Sequence, residues 1–181
     1  IGSCRMCVVE IEGYDHLYPS CNTKVREGMV VHTNTDRVQR EREFMLKLIL
    51  ASHDVRCLSC AKSGDCELQS LANEFNLTME IPYKESIPPL EAKKNNPFLT
   101  YYPELCIGCQ RCVSTCAKRV GNGTLRNGRI GSRTVIDAPF GEEWKETSCE
   151  LCGNCAAACP TGALVTKNQS KYQLGNVRKV L

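Results

Sequence analysis

The sequence predicts an α+β chain made of several small units, and three observations predict it. Fourteen of the 181 residues are Cys, close to the share at which a disulfide scaffold or a metal protein replaces an ordinary apolar core. Aromatic residues make up only 6%, with one Trp and four Phe, and the mean hydropathy is −0.29, so apolar burial alone is too weak to hold one large body together. Along the chain, strand-like alternation gives way to helical spacing, with Pro- and Gly-rich interruptions between the units. The formal charge of +3, from 23 basic and 20 acidic side chains, is too balanced to indicate nucleic acid. No apolar run approaches the roughly 18 residues of a membrane span, since FMLKLILA is short and carries Lys47. IGSCRMCVVEIEG shows no basic stretch followed by an apolar one, so no export signal is visible and a cytoplasmic location is expected.

Taken in order, VVEIEG alternates as a strand does, and YPSCNTKVREGMVVHTNT reads as two short extended pieces around a Glu-Gly turn. These form a first unit over residues 1–35. From Asp36, a candidate helix cap, Val38, Phe44, Met45, Leu48 and Ile49 recur at helical spacing and predict a core-facing stripe, with REREF toward solvent. His53 follows the end of that helix. A second helix, ELQSLANEFNL, places Leu68, Leu71, Ala72 and Phe75 on one face directly after Cys66, and closes a second unit at 36–80. Residues 81–96, rich in Pro and polar side chains, read as a linker. A third unit covers 97–168, and the polar residues 169–181 read as a tether to a further, catalytic domain.

The cysteines fall in four groups: Cys4, Cys7 and Cys21; Cys57, Cys60 and Cys66; Cys106, Cys109, Cys112 and Cys116; Cys149, Cys152, Cys155 and Cys159. The last two groups both read C-x2-C-x2-C-x3-C. A disulfide framework has no use for four thiols in eleven residues, twice, in a chain without an export signal. A zinc site takes one C-x2-C pair from a loop and a second pair from elsewhere. Three closely spaced thiols suit a 4Fe–4S cubane, and a fourth, one helical turn later, reaches a neighbouring cluster. Iron–sulfur is therefore the reading, with zinc and disulfides as lesser alternatives. The spacing implies crossed ligation: Cys106, Cys109 and Cys112 with Cys159, and Cys149, Cys152 and Cys155 with Cys116. In HDVRCLSCAKSGDC, three thiols leave a cubane one ligand short, and His53 stands where the fourth is needed. A lone His there would read as a surface side chain, as His16 and His32 do. A neutral imidazole in place of a thiolate makes that site less negative and raises its expected potential.

These motifs resemble known families. Over about residues 97–168 the chain resembles the bacterial two-cluster ferredoxins. It departs in having Ala117 after Cys116, where the strict run has Pro, and in room between the runs for a hairpin around Asn127–Gly128. Helix termination after Cys116 then falls to GNGTLRNGRIG. The His53 segment resembles the one-His, three-Cys cluster segment of the large NADH–quinone oxidoreductase iron–sulfur subunit, shared by related hydrogenases and formate dehydrogenases. Cys4, Cys7 and Cys21 resemble the 2Fe–2S loop of the plant-type ferredoxin module in the same enzymes. That resemblance implies a β-grasp fold and a further Cys ahead of Ile1. Donor counting agrees: fourteen Cys and His53 make fifteen donors, one short of four full sites. Ile1 is thus expected to be internal to a longer protein; the alternative is a set of structural thiols or a degenerate site. The expected fold is α+β: a partial β-grasp 2Fe–2S module, a small helical 4Fe–4S domain with one His and three Cys ligands, and a two-cluster ferredoxin-like domain. The expected cofactors are one 2Fe–2S and three 4Fe–4S clusters.

No phosphate-cradling Gly loop is present, since GNGTLRNG does not fit the dinucleotide fingerprint. No nucleophile is assigned, because the thiols and His53 are already used. Arg111, Lys118, Arg119, Arg126, Arg129 and Arg133 form a basic cluster, either a solvated face offsetting anionic clusters or a dock for an acidic partner. Trp144 reads as packing. The parent enzyme comes from resemblance: FGEEWKETSCELCGNCAAACPTGAL and the terminal NVRKVL look most like the cytoplasmic formate dehydrogenases that depend on molybdenum or tungsten. That likeness implies a Mo/W-bis-pterin only in the missing catalytic domain of the same polypeptide. It also implies diaphorase (flavoprotein), ferredoxin or hydrogenase partners, with no nucleic acid and no membrane. Electrons would enter the two-cluster unit, pass the His53 site and leave through the 2Fe–2S module. An iron-only hydrogenase region, or a stand-alone polyferredoxin carrier, is the alternative.

Overall fold

The computed structural model describes residues 1–77, 96–130, 133–139 and 143–167. All but Asn96 of the expected linker, and all of the expected tether, lie outside the described residues. Strand β1 (Val8–Ile11) is central in a small antiparallel sheet between β2 (Tyr18–Pro19) and β3 (Val31–His32). Val8 faces Pro19 and Ile11 faces Val31. Pro19 sits on an edge strand, where its missing N–H costs no ladder bond. The expected Glu27–Gly28 turn lies between β2 and β3, with Gly28 at φ +74°.

Helix α1 (Asp36–Ser52) starts at Asp36, the residue expected to cap it. Thr35 is the cap, its hydroxyl accepting the Val38 N–H at 3.2 Å, an arrangement worth about 1 kcal/mol. The buried line also differs from the predicted stripe. Val38, Leu46 and Leu50 are buried, whereas Phe44 is 57% and Leu48 48% exposed. The reason is that α1 packs on β1 through the i, i+4 row from Val38, and Arg42 in that row donates to the Val8 carbonyl at 2.8 Å. An arginine on the inner face, snorkelling its stem across apolar surface, cannot be recognised from periodicity. Helix α2 (Glu67–Glu74) buries Leu68 and Ala72 against Leu46 and Leu50, with Leu71 and Phe75 packed at the margin.

In the third unit, β4 (Leu99–Tyr101) pairs antiparallel with β7 (Leu164–Thr166), so both ends of the two-run segment meet in one ladder. Between them come the single turns α3 (Arg111–Ser114) and α4 (Asn154–Ala157). The helix after Cys112 widens at Thr115–Val120 and stops at Gly121 in the left-handed conformation (φ 82°), as GNGTLRNGRIG led one to expect. The inserted hairpin is present, but not with Asn127–Gly128 as its turn. Those residues lie inside β5 (Arg126–Ile130), opposite Ile136 and Val135 of β6 (Arg133–Asp137), and only residues 131–132 separate the strands. A Cβ on Gly128 would stand 3.2 Å from the Val135 side chain, so this glycine serves close cross-strand packing rather than a turn. Trp144 is buried and stacks on Tyr101 at 5.8 Å between centroids, in one core with Leu99, Leu105, Ile136 and Leu164. Among the described residues, no helix is long and apolar enough to cross a membrane.

Candidate metal centres

No disulfide joins any of the fourteen cysteines. Instead, three cavities each gather one of the expected donor sets. Cys106, Cys109, Cys112 and Cys159 line one cavity. Cys116, Cys149, Cys152 and Cys155 line another. His53, Cys57, Cys60 and Cys66 line a third. The two runs thus exchange their fourth thiols in space, Cys159 reaching the first run and Cys116 the second.

Local backbone geometry explains how each short run surrounds a cavity. In the first run Gly108 and Gln110 flank Cys109 in the left-handed region (φ 63° and 62°). In the second, Leu151 and Gly153 flank Cys152 in the same way (φ 55° and 73°). These paired turns fold the chain around the cavity. A Cβ on Gly153 would meet Phe98 at 3.1 Å, which leaves Gly as the one residue type that suits both the turn and the space. In the third site, His53 ends α1 with its N–H on the Leu50 carbonyl, Cys57 opens a short turn, and Cys66 caps α2. The Leu68 and Gln69 amides at that helix N-terminus face the Cys66 thiol and favour its anion, while burial, the larger influence, raises its pKa.

Backbone and side-chain donors also point at sulfur: the Gly108 N–H at Cys106 (3.5 Å), the Lys62 N–H at Cys60 (3.5 Å) and the Asn96 amide at Cys149 (3.8 Å). Burial pushes the Cys109 thiol up to about 11 and the Cys155 thiol up to about 12, with neighbouring thiolates adding to the shift. Cys112 is raised further for the same reasons. A metal centre binds such groups as thiolates, so its binding would release their protons. Among the described residues, no three His, Cys, Asp or Glu side chains converge on a single-ion site. Trp144 lines the Cys116 cavity, and its buried indole N–H has no acceptor among the described residues. The residues present fit an iron–sulfur cluster in each cavity.

Cys4, Cys7 and Cys21 form a looser group. Cys7 and Cys21 are within hydrogen-bonding reach, and the Gly2 N–H donates to Cys21 at 3.2 Å. Arg5 adopts φ 58° between Cys4 and Cys7. This loop touches the first run directly, through Ser3 on the Gly108 carbonyl (2.8 Å) and Gln110 on Ser3 (3.3 Å). The Cys4 loop and the first run of the two-cluster segment are therefore in direct contact.

Three contributors were missed from sequence. Asn96, read as the end of the linker, is fully buried; its carbonyl accepts the Phe98 and Leu99 amides at 2.9 and 2.8 Å. Asn96→Ala is expected to destabilise the unit by about 1–3 kcal/mol and to lower the potential of the Cys149 site as its thiolate loses a donor. Thermal melts and a redox titration measure the two effects. Arg111, read within the basic cluster, instead clamps Glu67 through two bonds of 2.5 and 2.6 Å, and the charges of Cys109 and Cys4 also act on it. Lys118, Arg119, Arg126 and Arg129 of that cluster are exposed; the Arg133 side chain lies outside the described set. Gly162 presses on Cys60, so closely that a Cβ would stand 2.5 Å from its sulfur. A lone glycine in CPTGAL carries no such signal. His16 is exposed, and His32 is an exposed partner of Glu12 at 2.9 Å.

Three family descriptions match successive parts of the chain. Residues 1–36 match a 2Fe-2S iron-sulfur cluster binding domain. Residues 42–80 match the NADH-ubiquinone oxidoreductase-G iron-sulfur binding region, and residues 105–163 a 4Fe-4S dicluster domain. The NADP-reducing hydrogenase subunit HndD of Solidesulfovibrio fructosivorans is 42% identical, over 90% of this chain and 28% of its own length. A subunit of the NADH-quinone oxidoreductase of Rhizobium meliloti is 38% identical, over 92% and 19%. A putative formate dehydrogenase of Staphylococcus haemolyticus is 34% identical, over 93% and 17%. The chain thus spans between 17 and 28% of the length of these curated relatives. Among solved structures, a chain of an NAD+-reducing [NiFe]-hydrogenase in the H2-reduced state superposes with a TM-score of 0.79 at 31% identity, over 92% of this chain and 70% of that one.

Proposed function

The chain belongs to the NADH-quinone oxidoreductase-G iron–sulfur family, which includes hydrogenase relatives, and on that premise we propose that it is a four-site electron relay within a larger oxidoreductase. The observation that carries this reading is the segregation of twelve donors into three cavities of four. When bound, the clusters supply one-electron storage and transfer.

The chain's own residues bind and tune. Cys106, Cys109, Cys112 and Cys159 hold one 4Fe–4S cluster, Cys116, Cys149, Cys152 and Cys155 a second, and His53, Cys57, Cys60 and Cys66 a third. Cys4, Cys7 and Cys21 hold a 2Fe–2S cluster with a fourth ligand from upstream. Tyr101, Ile136, Leu164 and Trp144 exclude water from the cavity walls, and the Gly108, Lys62 and Asn96 N–H groups stabilise the reduced, more negative state. Arg111 places a positive charge between the Cys4 loop and Cys109.

The parent enzyme we read as a formate dehydrogenase with a Mo/W-pterin site in its catalytic domain. Partners would be a diaphorase, ferredoxin or hydrogenase subunit. Support comes from the run-up to Cys149 around Trp144 and from the Staphylococcus relative. A hydrogenase subunit is the second reading, favoured by the 42% identity to HndD. Anaerobic EPR on the intact native protein, with formate and then hydrogen as the only reductant, separates them. Cluster signals developed by formate are expected. Signals developed by hydrogen alone would move the parent to the hydrogenases, and no signal even with dithionite would remove the relay itself.

A further inference from the structure

Two of the donor sets meet at one seam, and the seam has an unusual construction. Cys66, of the His53 set, is bonded to Glu67; Cys159, of the Cys106 set, is bonded to Pro160. The Glu67 N–H donates to the Pro160 carbonyl at 3.0 Å. Two residues further on, Gly162 lies against Cys60, where an added Cβ would stand 2.5 Å from the sulfur and 3.5 Å from Leu105. The segment between is pinned, because Thr161 donates to the Leu105 carbonyl at 2.9 Å and lies 3.8 Å from the Cys159 sulfur. The N-terminal end of α2 is pinned as well, by the Arg111–Glu67 clamp. The seam is thus contacted from both sides.

We propose that the Glu67 N–H···O=C Pro160 hydrogen bond, with Gly162 packed on Cys60, is the electronic coupling link between the His53 site and the Cys106 site. This rests on the reading that both donor sets hold iron–sulfur clusters. Electron tunnelling decays steeply across gaps and far less along bonds. The route from Cys66 to Cys159 runs along the backbone of two adjacent residue pairs and crosses one non-covalent step. The absent side chain at 162 lets the backbone after Cys159 approach Cys60, shortening the direct gap as well. In each transfer one site loses an electron and the other gains it; no proton moves and no bond breaks. Glu67 and Gly162 act as positioning residues, not ligands.

Glu67→Pro tests the link without removing the helix. Glu67 is the first residue of α2, where proline is well tolerated, and Cys66 before it already has the φ −115°, ψ 118° that a following proline requires. The substitution deletes the N–H and also the Arg111 clamp, so Glu67→Ala, which deletes only the clamp, is its control. The readouts, on the anaerobic full-length protein, are the magnetic splitting between the two dithionite-reduced sites and the rate of electron exchange between them after flash photoreduction. Glu67→Pro is expected to retain both cluster signals, to lose most of the splitting and to slow the exchange severalfold, while Glu67→Ala resembles wild type. Equal splitting and rate in the two variants would overturn the proposal. If the Pro variant loses a cluster signal, Gly162→Ala replaces it: with both signals kept, weaker splitting and slower exchange support the link, and wild-type values overturn it. Failure of the ligand reading shows separately, as a wild-type spectrum from which His53→Ala removes nothing.

Discussion

Cys159→Ser is expected to abolish the cluster signal of the Cys106 site while leaving that of the neighbouring Cys149 site nearly intact. The sequence neighbours of Cys159 are Cys152 and Cys155, yet its side chain lines the cavity of Cys106, Cys109 and Cys112 and not theirs. The thiol is only 8% exposed, so no water replaces it easily, and a serine oxygen is a poor donor for iron that prefers soft thiolate. The loss should read as about four iron atoms per chain in metal analysis. A drop in thermal stability should accompany it, because ligand binding and folding share one free energy where thiols are this buried. Metal content and EPR of the variant, against Cys155→Ser in parallel, provide the check. If Cys159→Ser disturbs only the Cys149 site, the crossed assignment is wrong.

His53→Ala should remove the third 4Fe–4S cluster, and His53→Cys should keep it with a lower potential. Alanine leaves three thiols around a cavity that His53 otherwise closes, and His53 is itself 7% exposed. Cysteine restores four donors but adds a negative charge, which disfavours the reduced state relative to neutral imidazole. Both variants are read by a dithionite titration followed by EPR. An unchanged number of clusters at unchanged potentials in His53→Ala would eliminate His53 as a ligand.

The grouping of side chains was legible because thiol spacing is a short-range property. Three Cys at two-residue intervals can close on one point only if the loop turns twice, and the left-handed residues beside Cys109 and Cys152 supply those turns. The projection of Cys116 and Cys159 away from their own runs follows from a helical turn between the third and fourth Cys of each. His53, singled out by the deficit of one donor, lines the cavity of Cys57, Cys60 and Cys66. The helices and the three-stranded first sheet followed from periodicity, with errors where an unexpected partner intervened. Arg42 took an inner position on α1 and turned Phe44 and Leu48 outward. Gly128 was spent on cross-strand contact with Val135, so the hairpin turned farther along.

The thiol spacing within each run was readable from the sequence alone, because it depends on neighbours a few residues apart. What only the tertiary structure decided is how the sets stand toward one another. The Cys4 loop rests on Gly108 across more than a hundred residues, Arg56 reaches Glu104 at 2.8 Å, and Gly162 meets Cys60. None of these contacts has a local signature, since each joins a polar or small residue of one unit to another unit far along the chain. They are set when three separately patterned units pack together, and that packing fixes which sites are adjacent.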